Sequence, residues 1–497
     1  MKRIMEQGLG MRFIAALVLT IVAAPFTATA QQSKPWEKIP VPPLHEFKPQ
    51  MPKRVELKNG IVIFLQVDHE LPFVSGSVLI PGGALDEDAS KAGLIELYGQ
   101  AWRTSGSAKL DGDAMDDFLE ARAAHIETAG GENSTSLSWD SLKGDADQVF
   151  AMAMDLLLHP KFNSEKLQLA QEQAAAGIVR RNDDEAGIAG RESAKLVYGA
   201  TSPYARQPEL ATIGAVKVAD LIAWHQKSIG GKLIVSLSGD FDSAAMETKL
   251  RAAFEPLPAV KATPKRHDTF GDPKQAVYFV DKQDVNQSNV QIVGLGTDRH
   301  NPDVPTLALM NDILGGGFAS RLFQRIRTEK GYAYAVGGGI SFDYDHPGLF
   351  NVEVLTQSVN TVPATQLALE EIAGLTTKPF TEDELKRAKD DILNGFLFRY
   401  DTRDKVLAEQ VKLEFYGYPS DYLEKYEAAI HKVTLEDLSA AAKKYIHADK
   451  LAVLVVGNKG EIQPGLDDLK LGPVHTVDIK IPGAPKGQPG DAGAQQQ

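Results

Sequence analysis

Apolar positions along this chain fall into two kinds of period. Arg54 to Leu57, an Asn59-Gly60 turn and Ile61 to Val67 have the pattern of a β-hairpin, and Val74 to Ile80 reads as a further strand. Between Asp88 and Ser105 the period becomes helical. Leu94, Leu97, Tyr98 and Ala101 form one stripe, widened by Ile95 and Trp102, with Asp88 or Ser90 available as the cap. Farther on, Ala276 to Val280 and Asn289 to Gly294 read as strands, and Glu382 to Phe398 and Leu435 to Tyr445 as long amphipathic helices. Leu233 to Leu237 and Leu451 to Val456 are β-rich runs that close the two halves. Strands first, helices interleaved and a strand last predict an α+β fold, a mostly antiparallel sheet with helices packed on one face.

The two halves repeat each other. Phe162 and Leu167 recur as Phe380 and Leu385, and Tyr198-Gly199 as Tyr416-Gly417, at an offset of 218. Ile213, Val216 and Asp220-Leu221 recur as Ile430, Val433 and Asp437-Leu438 at 217, and Lys232-Leu233 and Gly239 as Lys450-Leu451 and Gly457 at 218. So steady a register points to a tandem duplication, with homologous domains at 53–258 and 275–481. A low-order stretch at 259–274, with Pro264, Gly271 and Pro273, links them. Residues 31–52 carry six prolines and read as an extended strap; 482–497 read as a disordered tail of Gly, Pro, Ala and Gln.

Residues 1–30 have the layout of a secretory signal: Lys2, Arg3 and Arg12, an apolar run from Phe13 to Phe26, then Ala28-Thr29-Ala30 as a cleavage site. Met11 as the start would give a more compact signal. An uncleaved membrane anchor is the alternative, but the run is short for a bilayer. Export with cleavage after Ala30 predicts a periplasmic or secreted protein. Net charge is −13, and losing three basic groups and one acidic takes it to −15. Such a surface repels phosphate backbones, which argues against nucleic acid as a partner. The absence of cysteine excludes disulfides, thiolate metal sites and cysteine nucleophiles.

Candidate chemistry is sparse. There is no G-x-S-x-G, no H-E-x-x-H, and no phosphate loop, since Gly315-Gly316-Gly317 and Gly337-Gly338-Gly339 lack the lysine and hydroxyl that one needs. These glycines read as turns where backbone passes close to something. Two longer segments are informative. Gly93-Leu94-Ile95-Glu96-Leu97-Tyr98-Gly99-Gln100 resembles the active-site helix of the pitrilysin/insulinase family of zinc peptidases. Leu314-Gly315-Gly316-Gly317-Phe318-Ala319-Ser320-Arg321-Leu322-Phe323, with Arg327 to Tyr334, resembles the signature of that family's C-terminal half.

The resemblance covers 53–481 and implies two homologous domains forming half of a clamshell. It also implies a site, and here the chain departs from the family. The family's H-x-x-E-H places two imidazoles on one helical face to bind zinc, beside a glutamate that activates water. Those positions hold Glu96, Gly99 and Gln100, and the third-ligand position, 77 residues on, holds Gly177. One carboxylate and an amide make a poor zinc site. The plain reading of Glu96 and Gln100 is the polar face of a core helix; a nonstandard metal site from distant residues is the other.

Arg327 and Tyr334 keep the family's seven-residue spacing for an arginine and a tyrosine that contact substrate near the scissile bond. Their plain readings are a surface ion pair with Glu329 and a core tyrosine. Gly130 to Ser136 resembles the family's substrate-pairing edge strand, which makes Asn133, Ser134 and Thr135, with Phe318, candidate substrate contacts. The resemblance thus implies the non-catalytic subunit of an exported heteromeric zinc peptidase. It would hold no cofactor itself, with zinc in a homologous partner bearing an intact H-x-x-E-H and a peptide between the two. The alternatives are a stand-alone zinc endopeptidase with unrecognised ligands, a peptide-binding or chaperone-like module, or a purely architectural subunit.

Overall fold

The computed structural model describes residues 39–40, 48–259, 268 and 270–484. The expected signal segment and most of the strap lie outside the described residues. The chain divides into a leading unit up to Lys48 and a compact unit from Pro49 onward, to which every described strand and helix belongs.

The first half contains β1 (Lys53–Glu56), β2 (Val62–Val67), β3 (Phe73–Pro81), α1 (Leu94–Ser105), α2 (Gly112–Glu120), β4 (His125–Gly130), β5 (Ser134–Leu142), α3 (Ala146–Leu158), α4 (Ser164–Arg180), α5 (Glu185–Tyr198), α6 (Leu210–Ala215), α7 (Val218–Ser228), β6 (Ile234–Gly239) and α8 (Ser243–Phe254). The second contains β7 (Val277–Asp281), β8 (Gln287–Leu295), β9 (Thr297–Asp298), α9 (Val304–Gly315), a π-helical turn (Phe323–Glu329), β10 (Ala333–Ile340), β11 (Phe342–Asp343), β12 (Leu349–Gln357), α10 (Thr361–Thr377), α11 (Glu382–Arg399), α12 (Arg403–Tyr416), α13 (Tyr422–Lys432), α14 (Leu435–Tyr445), β13 (Ala452–Gly457) and β14 (Val474–Thr476).

Each half builds a six-stranded sheet, ordered β1-β2-β6-β3-β5-β4 and β14-β7-β13-β8-β12-β10. Side by side, β2 matches β7, β6 matches β13, β3 matches β8, β5 matches β12 and β4 matches β10. In each half the second strand of this order pairs in parallel with the third, β2 with β6 and β7 with β13, while the next pairs inward, β6–β3 and β13–β8, are antiparallel. The duplication read from residue offsets is therefore one of topology. The outermost place differs. In the first half it is filled by the β1–β2 hairpin, closed by Asn59-Gly60 with Gly60 at φ +89°. In the second, β14 returns from near the chain end to lie parallel to β7.

Each half's own helices cover one sheet face, as expected. The other face is covered by a helix of the opposite half. Ile188 and Ala189 of α5 pack on Val280, Leu454 and Val456, and Val197 on Val293 and Ala452. In return, Leu407 of α12 packs on Val62, Phe64 and Ile234. The strands carry the signature of this: every residue of β13 is buried, a continuous apolar run of the kind a two-sided sheet requires. The segment after β14 also crosses over. The Asn182 side chain donates to the Ile479 carbonyl at 2.7 Å, and Ile481 packs against the first core. The chain is thus packed up to the edge of the stretch expected to be a tail, whose last thirteen residues lie outside the described part.

Candidate functional site

Helix α1 begins later than its cap-like residues suggest. Asp88 caps a short 3₁₀ turn instead, accepting from Ser90 N at 2.8 Å. Gly93 then turns the chain at φ +97°, and the Glu87 carboxylate accepts from Gly93 N at 2.9 Å and Ile95 N at 2.6 Å. A buried anion therefore sits on the positive end of the helix. Burial raises its pKa, opposed by those two backbone bonds and by Arg206.

The four ligand-equivalent positions do not form a metal site. Glu96 faces solvent, Gly177 is exposed on α4, and Gln100 is half-buried with its Oε1 lacking a hydrogen bond among the described residues. Gly99 is filled from outside: a Cβ there would lie 2.4 Å from Gly130 N and 2.9 Å from the Ala129 carbonyl carbon. Thr128 Oγ1 donates to the Gly99 carbonyl at 2.6 Å, tying α1 to β4. A glutamate side chain has no room to start. The remaining donors, one exposed carboxylate and one amide, do not suit zinc. Among the described residues no group of three or more His, Asp or Glu is placed to hold a metal ion.

The opposite face of α1 is locked in the core. Tyr98 OH donates to His225 Nδ1 at 2.8 Å, and His225 Nε2 donates to the Leu157 carbonyl at 2.9 Å. A carbonyl only accepts, so Nε2 carries the proton and the imidazole is neutral. Burial pushes the His225 pKa down to about 4 and raises that of Tyr98.

The second half gathers its candidates on one ledge. Arg327 lies on the π-helical turn, a rare geometry that recurs at functional sites. Tyr334 is the extra residue of a β-bulge: Ala333 faces Thr356 and Ala335 faces Leu355, leaving Tyr334 without a partner position. Bulges at sheet edges re-aim side chains, and β10 is the edge strand of its sheet. Between them these irregularities bring the Arg327 guanidinium to 5.8 Å from the Tyr334 ring centre, with the Phe323 ring at 4.8 Å. Phe318 meets Phe323 edge-on at 5.0 Å. Phe318 is 77% and Tyr334 73% exposed, so neither is a core residue. The ion pair to Glu329 is made by Arg325 at 3.1 Å, whereas Arg327 has none among the described residues. Phe323 was not singled out from sequence, although a ring four residues before an arginine on a helix is the spacing that stacks them.

The substrate-strand residues are placed differently from expectation. The edge of the first sheet is β4, ending at Gly130; Asn133 lies in the following turn and Ser134 and Thr135 begin β5, the next strand in. Thr135 is fully buried between Ile80 and Gly130, so its side chain cannot meet a ligand. Asn133 reaches across to Tyr416 OH at 3.4 Å. The glycine runs are not turns either. Gly315 ends α9, Gly337 to Gly339 lie within β10, and what they pass close to is each other: a Cβ on Gly315 would lie 2.6 Å from Gly338 N. This repeats, in the second half, the contact between Gly99 of α1 and Gly130 of β4.

Known proteins share this architecture. A family model described as the peptidase M16 inactive domain matches residues 215–392. The non-peptidase homolog YmxG of Helicobacter pylori is 23% identical over 406 residues, spanning 80% of this chain and 92% of its own. An uncharacterized zinc protease of Mycobacterium leprae is 22% identical over 406 residues, 79% of this chain and 89% of that one. The crystal structure of a peptidase M16 inactive domain from Pseudomonas fluorescens superposes with a TM-score of 0.73 at 22% identity, over 82% of this chain and 98% of that one. A protease from Helicobacter pylori gives 0.71 at 16% identity, over 82% and 100%. Over residues 215–392, and in its fold, the chain is thus similar to insulinase/pitrilysin-like metallopeptidase homologues of the inactive type. In α1, the positions compared with H-x-x-E-H hold Glu96, Gly99 and Gln100.

Proposed function

We propose that this chain is the non-catalytic subunit of an exported two-subunit zinc peptidase, presenting Arg327 and Tyr334 to a peptide held against a homologous partner's H-x-x-E-H helix. The observation that carries this is the ledge itself. A guanidinium without an ion pair among the described residues and a phenol are held side by side and exposed, one on a π-helical turn and the other at a β-bulge. Such a pair suits a polarised carbonyl, to which the cation and the phenol O–H both donate. Phe323 and Phe318 extend the ledge as apolar surface for a side chain of the peptide.

The test is reconstitution with a homologous exported protein that retains H-x-x-E-H. Peptide cleavage by the pair and by neither chain alone is the expected result. Arg327→Ala with Tyr334→Phe should then lower kcat/KM of the pair by about 10²-fold, in the range for losing oxyanion donors. Stability should stay within about 0.5 kcal/mol, because both groups are exposed. Cleavage by this chain alone with stoichiometric zinc would instead establish a stand-alone peptidase. Peptide binding without any partner would establish a chaperone-like module. A double variant as active as wild type in the pair would reduce the chain to an architectural role.

A further inference from the structure

The geometry points to a second ligand site in this protein, a cavity in the second half that takes a carboxylate attached to a planar or aromatic ring. It lies where the duplication would place the counterpart of the degenerate metal site. Gly99 and Gly315 make the same helix-to-strand contact at an offset of 216, so Glu96, Gly99 and Gln100 correspond to Asp312, Gly315 and Gly316. Those three residues line a cavity of about 900 Å³ bounded by α9, β10 and helices α11 to α13. That volume is within the range of small-molecule sites.

The walls specify the ligand. Tyr344, Tyr400, Tyr422 and Tyr426 are among the lining residues. Arg299 stands over Tyr344, its guanidinium 4.2 Å from the ring centre; it hydrogen-bonds the Tyr422 hydroxyl and forms no ion pair among the described residues. Its Nε is buried and lacks a hydrogen-bond acceptor, and the buried Asn351 Oδ1 in the same wall lacks a donor. A buried donor and a buried acceptor left unmatched are costly in a folded protein and mark a place where a ligand group completes the bonding. Two other cations are committed in part: Lys405 to Asp401 at 2.7 Å and Lys412 to Glu409 at 3.1 Å. Arg399 is exposed at the end of α11. Arg299 is therefore the group left inside for an incoming anion. A guanidinium favours a planar carboxylate, and the Tyr400, Tyr422 and Tyr426 rings lining the cavity favour an aromatic group beside it. An amide N–H next to the carboxylate would satisfy Asn351. A free N-acylated aromatic amino acid and the C-terminal residue of a peptide share this chemistry.

Binding can be measured by calorimetry on the full chain with four probes: N-acetyl-tyrosine, N-acetyl-tyrosinamide, and a tetrapeptide ending in tyrosine with a free or an amidated C-terminus. Both acids should bind at least tenfold more tightly than their amides. Binding of the peptide acid alone would restrict the site to peptide ends, and of the small acid alone to free acids. Arg299→Gln should abolish the preference for the acid. Because Arg299 also packs on Tyr344, a second variant, Ala408→Trp, fills the cavity from an exposed lining position and should remove binding with the melting temperature unchanged. Arg327→Ala should leave binding intact, which separates this site from the ledge. Equal affinity for acids and amides, no binding by any probe, or loss of binding in Arg327→Ala would overturn the assignment.

Discussion

Gly99 shows how a single residue can close off a chemistry. Its place on α1 is the one that the resemblance to H-x-x-E-H assigns to the glutamate, and here β4 backbone occupies the space. Even one methyl group would sit 2.4 Å from Gly130 N, so helix and strand would have to part. Gly99→Ala is expected to cost about 2–3 kcal/mol, the usual size of an overpacking defect. Gly177→Ala is the matched control. Nothing lies within 4 Å of its Cβ and it sits inside α4, so it should stabilise by about 0.5–1 kcal/mol. Urea denaturation of both variants reads the difference, and similar midpoints would mean that α1 and β4 are less tightly apposed than these distances require. For the same reason, writing H-x-x-E-H back into positions 96, 99 and 100 should yield an unstable protein, with sub-stoichiometric zinc by atomic absorption.

At the scale of the element, α1 is held by one capping anion and one neutral imidazole. Glu87 satisfies two N-terminal N–H groups from outside the helix, so Glu87→Ala should lose about 1–2 kcal/mol, as for other lost caps. His225 makes the helix sensitive to acid. Its folded pKa of about 4 lies below the ordinary 6.5, so the folded state resists a proton that the unfolded chain accepts. The imidazole's contribution is therefore present above pH 6.5 and is lost as pH falls toward 4. By linkage this amounts to about 2 kcal/mol at pH 5 relative to pH 7.5. His225→Gln should flatten that part of the profile. If urea midpoints of wild type and variant fall equally between pH 7.5 and 5, His225 does not carry the effect.

For the whole molecule, the exchange of α5 and α12 makes the two halves depend on each other. Each sheet leaves an apolar face that only the other half covers. Ile188→Ala, at a fully buried position on the second sheet, should cost about 3 kcal/mol, although it lies in the first half's sequence. Residues 275–481 expressed alone should associate or remain loosely packed, because Val293, Leu454 and Val456 would meet water. Adding residues 49–258 should restore a monodisperse species in size-exclusion chromatography with native near-ultraviolet dichroism. A well-behaved isolated second half would show that the exchanged helices are dispensable.

Local information set most of the elements. Strands β1 to β3, β6 to β8 and β13, with α11 and α14, fall within a residue or two of their apolar patterns, since period and turn chemistry act over a few residues. The repeat was legible because both halves keep the same spacing of core residues. The departures from H-x-x-E-H at positions 96, 99 and 100 were legible as residue identities, and so was the spacing of Arg327 and Tyr334. Features that arise from contacts distant in sequence were not legible. The start of α1 went to Glu87 instead of the nearer Asp88 because a turn intervened. Thr135 proved to be inside the sheet, since strand order is fixed by partners far along the chain. The exchanged helices, the return of β14, the meeting of an arginine and a tyrosine on one ledge and the cavity behind α9 depend on which surfaces the folded chain brings together. Sequence supplied the groups, and tertiary structure decided which of them share a space.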